Sequence, residues 1–335
     1  MRASERLVSL SLLLITFCAF AWMTIHKDWA AAIEAHGIIL LTLVAFGYPV
    51  MVYLLPRAPA LKKMAYLLVL VPTIYGAIGS IMRHHCTASM EAYLYAMDLR
   101  VGFNVFSWGA NAMPIWLTET FGFFYLFYFP YLIGSSYRIM RKNDVLSERF
   151  FIGMVTTYTL GYLGYLMAPA LGPRYSAPAT FEPQGGFLAP LAIWIVGSMG
   201  SPWAVMPSMH VGATFYILGF DALHDKKRFL WFLLPVIGLA MSTTGLGFHY
   251  FSDVIMGIAV AVAGLWAQRN ASLILSNLSK PLAITPSTLT AQNTPRLRRL
   301  GTIRSSKHPL DLEDAQHEPA AYRPRLKLLK KSSFS

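Results

Sequence analysis

The sequence predicts an all-α membrane protein, a polytopic helical bundle of about eight spans, and three observations support this prediction. First, 55% of the 335 residues are hydrophobic and 13% are charged, whereas roughly a quarter of the residues of a soluble chain are charged. Second, the apolar residues form long runs, and about 20 such residues cross a bilayer. Third, backbone groups in lipid must bond within their own segment, which makes such runs helical.

Eight apolar runs are candidate spans, and the sixth and seventh of them are short. The first run is too long for a cleaved signal peptide, so we interpret it as a signal-anchor helix. The runs cover residues 7–25, 35–55, 64–82, 114–137, 150–167, 209–223, 229–244 and 250–267.

The net charge of +12 suggests an anionic partner. In a chain this apolar, that partner is expected to be a membrane surface, and we expect no nucleic acid. The cations lie on alternate connections, and short loops rich in Lys and Arg stay in the cytoplasm. The groups expected on that side are Arg2 and Arg6; Arg57, Lys62 and Lys63; Arg138, Arg141, Lys142 and Arg149; Lys226, Lys227 and Arg228; and Arg269.

Composition divides the chain into three parts. Residues 1–113 contain the N-terminal membrane helices and an extracytoplasmic segment, and residues 114–270 form a membrane core. Residues 271–335 are rich in Pro, Ser, Thr and basic residues, which predicts a disordered cytoplasmic tail held to anionic lipid; a solubilising extension is the alternative. On the opposite side, residues 91–108 and 187–199 are expected to be interfacial or re-entrant segments.

Three polar clusters interrupt the apolar chain, and the topology places all of them at the non-cytoplasmic edge. One follows the fifth span, one opens the sixth and one opens the eighth. A helix down and a helix back separate His210 from His249, so the two rings return to nearly the same depth. The clusters are residues 171–175, 206–210 and 248–253.

His249 and Asp253 are four residues apart and share one helical face. If the carboxylate accepts the ring N–H of His249, the other ring nitrogen keeps a free lone pair and can attack an electrophile. An ionisable residue inside a span is a functional hypothesis by default. The alternative is that Asp253 lies at the membrane interface and accepts a hydrogen bond from Ser252 or Tyr250.

Pro207 and Ser208 predict the start of a helix, which the serine can cap and whose free N–H groups attract an anion. His210 would then lie near a leaving oxygen of a bound phosphate and could donate a proton to it. Arg174 offers a forked, permanently charged donor for phosphoryl oxygens. Its alternative role is that of an interfacial cation among lipid headgroups.

Accessory candidates lie on the same expected side. Arg83 is first a headgroup contact and second a substrate contact, and Tyr175 and Tyr250 adjoin the proposed site residues. We expect neither a metal nor a cofactor, because no short ligand spacing is present. The alternative zinc site would use His85, His210, His249 and Asp253.

The three clusters resemble the motifs of the type 2 phosphatidic acid phosphatase superfamily, over residues 165–257. Within it, the chain is similar to the branch of fungal inositol phosphorylceramide synthase and its bacterial relatives. By this resemblance, Arg174 matches the arginine of the first motif, Ser208 and His210 match the second, and His249 with Asp253 match the third. The resemblance implies a six-helix catalytic core, no metal, a phosphohistidine on His249 and a general acid at His210.

The sequence departs from the broad phosphatase pattern at two cations. Met167 stands where that pattern has a lysine, and Thr243 follows Ser242 where it has an arginine. A phosphodiester carries one charge and needs fewer fixed cations than a monoester with nearly two. We therefore expect a membrane-embedded lipid phosphotransferase that moves an inositol phosphate-like headgroup from a phospholipid to a lipid alcohol.

Two other functions fit the same residues. The first is a lipid phosphate or isoprenoid diphosphate phosphatase on the same scaffold, and the second is a lipid or solute transporter with His and Asp as a proton relay. For the enzyme, we expect membrane lipids as substrates and an active site on the non-cytoplasmic side. The membrane would be the inner membrane of a bacterium or a secretory-pathway membrane of a eukaryote.

Overall fold

A computed structural model describes residues 2–26, 36–55, 58–85, 90–108, 113–142, 144–176, 181–183, 185–199 and 201–279. All regular secondary structure in these ranges is helical. Six of their helices are long and apolar enough to cross a membrane. The predicted all-α, polytopic membrane fold is therefore confirmed.

The N-terminal third contains the first four helices, which pack together and against later helices. A proline in the first turn begins α3, where its missing N–H is no cost. A π-helical segment, Tyr66–Leu70, joins α3 to α4 in one continuous candidate span. The helices are α1 (Ala3–His26), α2 (Gly37–Leu54), α3 (Pro59–Ala65) and α4 (Val71–His85).

The next helices are shorter than a bilayer crossing. After α5 (Glu91–Arg100) and the 3-10 turn Val105–Trp108, the chain forms α6 (Ile115–Leu126) and α7 (Tyr128–Met140). The fourth predicted span, 114–137, is thus two helices. Pro130 has no N–H to donate to the carbonyl four residues earlier, so the hydrogen-bond ladder is interrupted near their junction.

The remaining helices build the core around α8, the most buried of the candidate spans. Helices α11 and α13 pack on each other, and α8 packs against both. At 16 residues, α11 is shorter than a typical span. The helices are α8 (Val145–Met167), α9 (Pro173–Ser176), α10 (Leu188–Met199), α11 (Met209–His224), α12 (Lys226–Gly245), α13 (Phe251–Arg269) and α14 (Ala271–Ser279).

One glycine sets the spacing between α11 and α13. A Cβ at Gly257 would lie 2.5 Å from the carbonyl oxygen of Ser208, a separation that side-chain carbons do not adopt. Glycine therefore lets α13 approach the start of α11 closely. This contact brings the third polar cluster beside the second.

A buried ionic cluster joins the beginnings of α1, α3 and α8. Lys62 donates to Glu5, and both side chains are nearly inaccessible to solvent. Lys63 lies 2.8 Å from Glu148 and donates a 2.9 Å hydrogen bond to Ser147. These cations are paired within the bundle, whereas the charge pattern placed them on a loop.

The tail prediction is wrong for its first nine residues. Ala271–Ser279 form helix α14, because Ala271 and Ile274 pack against Ile152 and Ala267 of the core. The rest of the predicted tail, residues 280–335, lies outside the described residues.

Candidate active site

The three polar clusters lie together in the structure. The backbone N–H of Arg174 donates to the carbonyl of Gly247 at 2.8 Å, and that of Ser208 donates to the carbonyl of Asp253 at 3.0 Å. The ring centroids of His210 and His249 are 6.1 Å apart. Segments distant in the chain therefore meet around a pair of imidazoles.

His249 and Asp253 form a close pair without a hydrogen bond. The distance from His249 Nδ1 to Asp253 Oδ2 is 3.6 Å, longer than a hydrogen bond. This differs from the expected contact, because Asp253 Oδ2 already accepts the backbone N–H of Tyr250 at 2.9 Å in a capping box. Nδ1 of His249 and Oδ1 of Asp253 are both buried without a partner, so a small ring movement would pair the histidine with the carboxylate.

Burial also controls the charge of His249. Its side chain is 6% exposed. Desolvation lowers the pKa of His249 to about 4, although a hydrogen bond to the carbonyl of Val205 favours the charged ring. The imidazole is therefore neutral at physiological pH, as a nucleophile requires.

A tyrosine from α6 holds the second histidine. Nε2 of His210 lies 3.0 Å from the hydroxyl oxygen of Tyr125. The ring of Tyr128 packs against the same imidazole with centroids 4.4 Å apart. Tyr125 could not be recognised from the sequence, because an aromatic residue in an apolar helix carries no spacing signal that marks it as a partner of a histidine.

Ser208 occupies the N-cap position of α11, but its hydroxyl makes no capping bond. The residue is fully buried, and its Oγ has no hydrogen-bond partner. The side chain therefore differs from the expected cap. A buried hydroxyl in this state can donate to a ligand at low cost, because it gives up no protein bond.

Arg174 is buried and is bonded to other groups of the protein. Its guanidinium donates to the carbonyls of Phe181 and Leu246 and lies 3.1 Å from the carboxylate of Glu182. Burial lowers the pKa of Arg174, and the exposed Glu182 opposes that shift. In the structure Arg174 joins the 181–183 segment to the end of α12 and does not line the cavity described below.

The accessory candidates separate in the structure. Tyr175 lines the cavity, whereas the hydroxyl of Tyr250 lies 3.4 Å from that of Ser176 in a different apolar cluster. The backbone of Arg83 belongs to α4, but its side chain, like that of His85, lies outside the described residues. Within the described part of the chain, no group of three His, Cys, Asp or Glu side chains is arranged to hold a metal.

A cavity of about 310 Å³ lies beside the two imidazoles. Among the described residues that line it, none is Arg, Lys, Asp or Glu, and most are apolar or aromatic. Among these described lining residues, His210 and His249 are the ones whose side chains carry a titratable nitrogen. Seven tyrosines share that wall: Tyr75, Tyr125, Tyr128, Tyr158, Tyr162, Tyr165 and Tyr175.

Asp98 anchors the start of α13, which carries Asp253. The buried carboxylate of Asp98 accepts the backbone N–H groups of Phe251 and Ser252 at 2.7 and 2.8 Å. Those two groups are otherwise unpaired at a helix start, and an anion there is favourable. Asp98 is not recognisable as an anchor from the sequence, because it lies in a segment whose pattern indicates only an interfacial location.

A model of the PAP2 superfamily matches residues 92–267, which is just over half of the chain. The chain belongs to the PAP2 superfamily. Members of this superfamily are phosphatases and phosphotransferases that act on lipids, which supports an enzyme. Comparison with the curated proteins and with the solved structures finds no match. The superfamily match includes Tyr125, Asp98 and all three polar clusters, and it leaves α1 to α4 outside.

Proposed function

We propose that this PAP2 superfamily protein is a lipid phosphotransferase that works through a phosphohistidine. The observation that carries the proposal is the pair of imidazoles, with centroids 6.1 Å apart, in the wall of a cavity whose described lining residues include no Arg, Lys, Asp or Glu. One ring would act as nucleophile and the other as proton donor and acceptor. The superfamily match favours this enzyme over the transporter alternative.

In the first step, neutral His249 attacks the phosphorus atom of a phospholipid. The new N–P bond forms as the P–O bond to the lipid alkoxide breaks, and His210 in its protonated form gives the alkoxide its proton and becomes neutral. Asp253, with its carboxylate 3.6 Å from the ring, stabilises the positive charge that develops on His249. The unpartnered hydroxyl of Ser208, at the start of the helix that carries His210, is a candidate donor for a phosphoryl oxygen, although Ser208 is buried and does not line the cavity in this structure.

In the second step, His210 removes the proton from the hydroxyl of an acceptor lipid. The acceptor oxygen attacks the phosphohistidine, the N–P bond breaks and His249 returns to its neutral form. Water in place of the lipid alcohol would make the same residues a phosphatase. Tyr125 acts as a positioning residue, because its hydroxyl fixes the orientation of His210.

The charge of the cavity favours a diester donor. A monoester near neutral pH carries almost two negative charges, and the described cavity wall offers no guanidinium or ammonium group to balance them. At the position of the missing arginine, the hydroxyl of Thr243 donates to the carbonyl of Ala240 within its own helix. We therefore propose that the protein belongs to the inositol phosphorylceramide synthase-like branch. Ser208 is a candidate phosphate-binding residue, and Arg174 would have to exchange its carbonyl and Glu182 partners for a phosphate to serve as a second one.

The decisive experiment separates the transferase from the phosphatase. Purified protein in liposomes is given phosphatidylinositol, phosphatidic acid or an isoprenoid diphosphate, with and without ceramide or diacylglycerol. We expect headgroup transfer that depends on the acceptor, together with acid-labile phosphate on His249. His249→Ala should abolish both signals, while His224→Ala, at the far end of α11, serves as the matched control. Rapid release of free phosphate from the monoesters would instead establish the phosphatase.

The side of the membrane is a further part of the proposal. Cations on alternate connections support an active site on the non-cytoplasmic side and a cytoplasmic tail. Accessibility of a cysteine introduced at residue 182 and another introduced at residue 300, tested with an impermeant thiol reagent on sealed cells, should give opposite results. Labelling of both from outside would contradict this orientation.

A further inference from the structure

The cavity extends from the histidines to the N-terminal helices. Leu68, Val71, Pro72 and Tyr75 all line it, and their spacing puts them on one face of the helix. Tyr75 contacts the backbone of Ser201 near the site. Leu68 lies two turns farther along the helix, a distance of about 10 Å. The cavity is therefore deep, and one of its walls is the face formed by α4 and the π-helical segment.

The far end of the cavity reaches the outer surface of the bundle. Leu68 and Ile133 line the cavity and are 45% and 40% exposed, whereas their neighbours Leu67 and Leu132 are buried. Leu68 belongs to the π-helical segment and Ile133 to α7, and α3 packs against α7 nearby. Since Pro59–Met82 is a candidate membrane span by its length and composition, we expect the surface at its middle to face hydrocarbon. The cavity thus opens sideways between this span and α7.

The wall near the opening suits hydrocarbon. Leu68, Pro72, Leu132 and Ile133 are apolar, and the hydroxyl of Tyr162 donates to the carbonyl of Val71 at 2.6 Å. A polar group in such a place would lose its hydrogen bonds to water, whereas an alkyl chain loses none. π-helical turns also occur often at functional sites.

From these observations we infer that the side opening holds the hydrocarbon chain of the membrane lipid whose phosphate lies at His210 and His249. The inference rests on the proposed function for the position of the phosphate. The wall formed by α4 and the π-helical segment lies entirely before residue 92, outside the part of the chain that matches the superfamily. The N-terminal helices therefore add a chain-binding wall to the superfamily domain.

Two tryptophan substitutions test this opening. Leu68→Trp and Ile133→Trp place a large side chain at its two edges. Leu14→Trp on α1 and Ile237→Trp on α12 are matched controls, since these residues are 46% and 41% exposed and do not line the cavity. The first readout is photolabelling by a phosphatidylinositol with a diazirine at the end of one acyl chain. The second is the ratio of kcat/KM for dioleoyl to that for dihexanoyl phosphatidylinositol.

The inference requires labelled peptides from residues 66–72 and 129–133, with labelling lost in Leu68→Trp and Ile133→Trp and kept in the controls. It also requires the long-chain to short-chain ratio to fall about tenfold in the same two variants. Labelling that is spread over all lipid-facing helices, or equal in variants and controls, overturns it. Photolabelling needs no turnover. A protein that is labelled at these peptides but inactive therefore supports lipid binding in the side opening and counts against the proposed reaction. A protein that is active but shows an unchanged long-chain to short-chain ratio supports the proposed reaction and counts against lipid binding in the side opening.

Discussion

Replacing Tyr125 with Phe removes one oxygen atom from the contact that holds His210. The hydroxyl lies 3.0 Å from His210 Nε2, and Tyr125 is buried with 1% of its surface exposed. Without it, a buried ring nitrogen loses its partner, which costs about 1 to 3 kcal/mol. If that cost falls on the transition state, kcat/KM decreases by roughly 5- to 150-fold. The ring remains, so the packing of Tyr125 against His210 and Phe248 is preserved.

The assay compares initial rates of headgroup transfer in liposomes for Tyr125→Phe and Tyr128→Phe. Tyr128 packs on the same imidazole, but its hydroxyl lies 3.4 Å from that of Tyr158 and so controls for general effects on the cavity. A positioning role predicts a decrease in kcat and a changed pH profile for Tyr125→Phe, in protein that stays folded at the assay temperature. Equal activity of both variants, or a loss explained by unfolding, would refute the role of this hydroxyl.

Three further predictions concern charge and stability. Burial lowers the pKa of His249 to about 4, and a protonated ring cannot attack phosphorus; the acid limb of kcat/KM should therefore lie near pH 4, and a limb near the usual histidine value of about 6.5 would contradict this. Asp98→Asn should remove one of two capping bonds at α13 and lower stability by about 1 to 3 kcal/mol, measured as unfolding in detergent; an unchanged midpoint would exclude an anchoring role. Lys62→Met should destabilise by about 3 to 5 kcal/mol because the buried Glu5 loses its counter-ion and keeps the hydrogen bond from the backbone N–H of Arg2. Adding Glu5→Gln should recover much of that loss, and strict additivity of the two effects would show that the pair is not coupled.

The membrane fold could be predicted from the sequence because it depends on the mean hydropathy of each long segment. A run of apolar residues must be helical in lipid whichever neighbours it has. The predicted helix boundaries were wrong where a local feature of the chain outweighs its mean hydropathy. Pro130 interrupts the fourth predicted span, and Ala271–Ser279 continue as a helix on the core surface. The proline is visible in the sequence, but the packing that orders α14 is not.

The sequence predicted which residues of the candidate site lie close together, but it did not predict the hydrogen-bond partners of their side chains. Order and spacing along the chain bring His210 near His249, and the structure places them in one cavity wall. The partners of each side chain depend on loops whose path no periodicity encodes. Arg174 therefore bonds to Phe181 and Glu182, and Tyr125 from α6 supplies a contact that no motif contains.

The structure shows what occupies the two positions at which the broad phosphatase pattern has a cation. Met167, at the position of the expected lysine, is 83% exposed and lies outside the cavity wall. Thr243, at the position of the expected arginine, donates its hydroxyl to the carbonyl of Ala240 in its own helix. Neither position therefore presents a polar group to a phosphate in this fold. With Arg174 already engaged by protein carbonyls, a substrate that brings little charge is favoured. The donor proposed above, a phosphodiester with a long hydrocarbon chain, would bring one negative charge to the histidine pair and an alkyl chain to the apolar wall that continues from it.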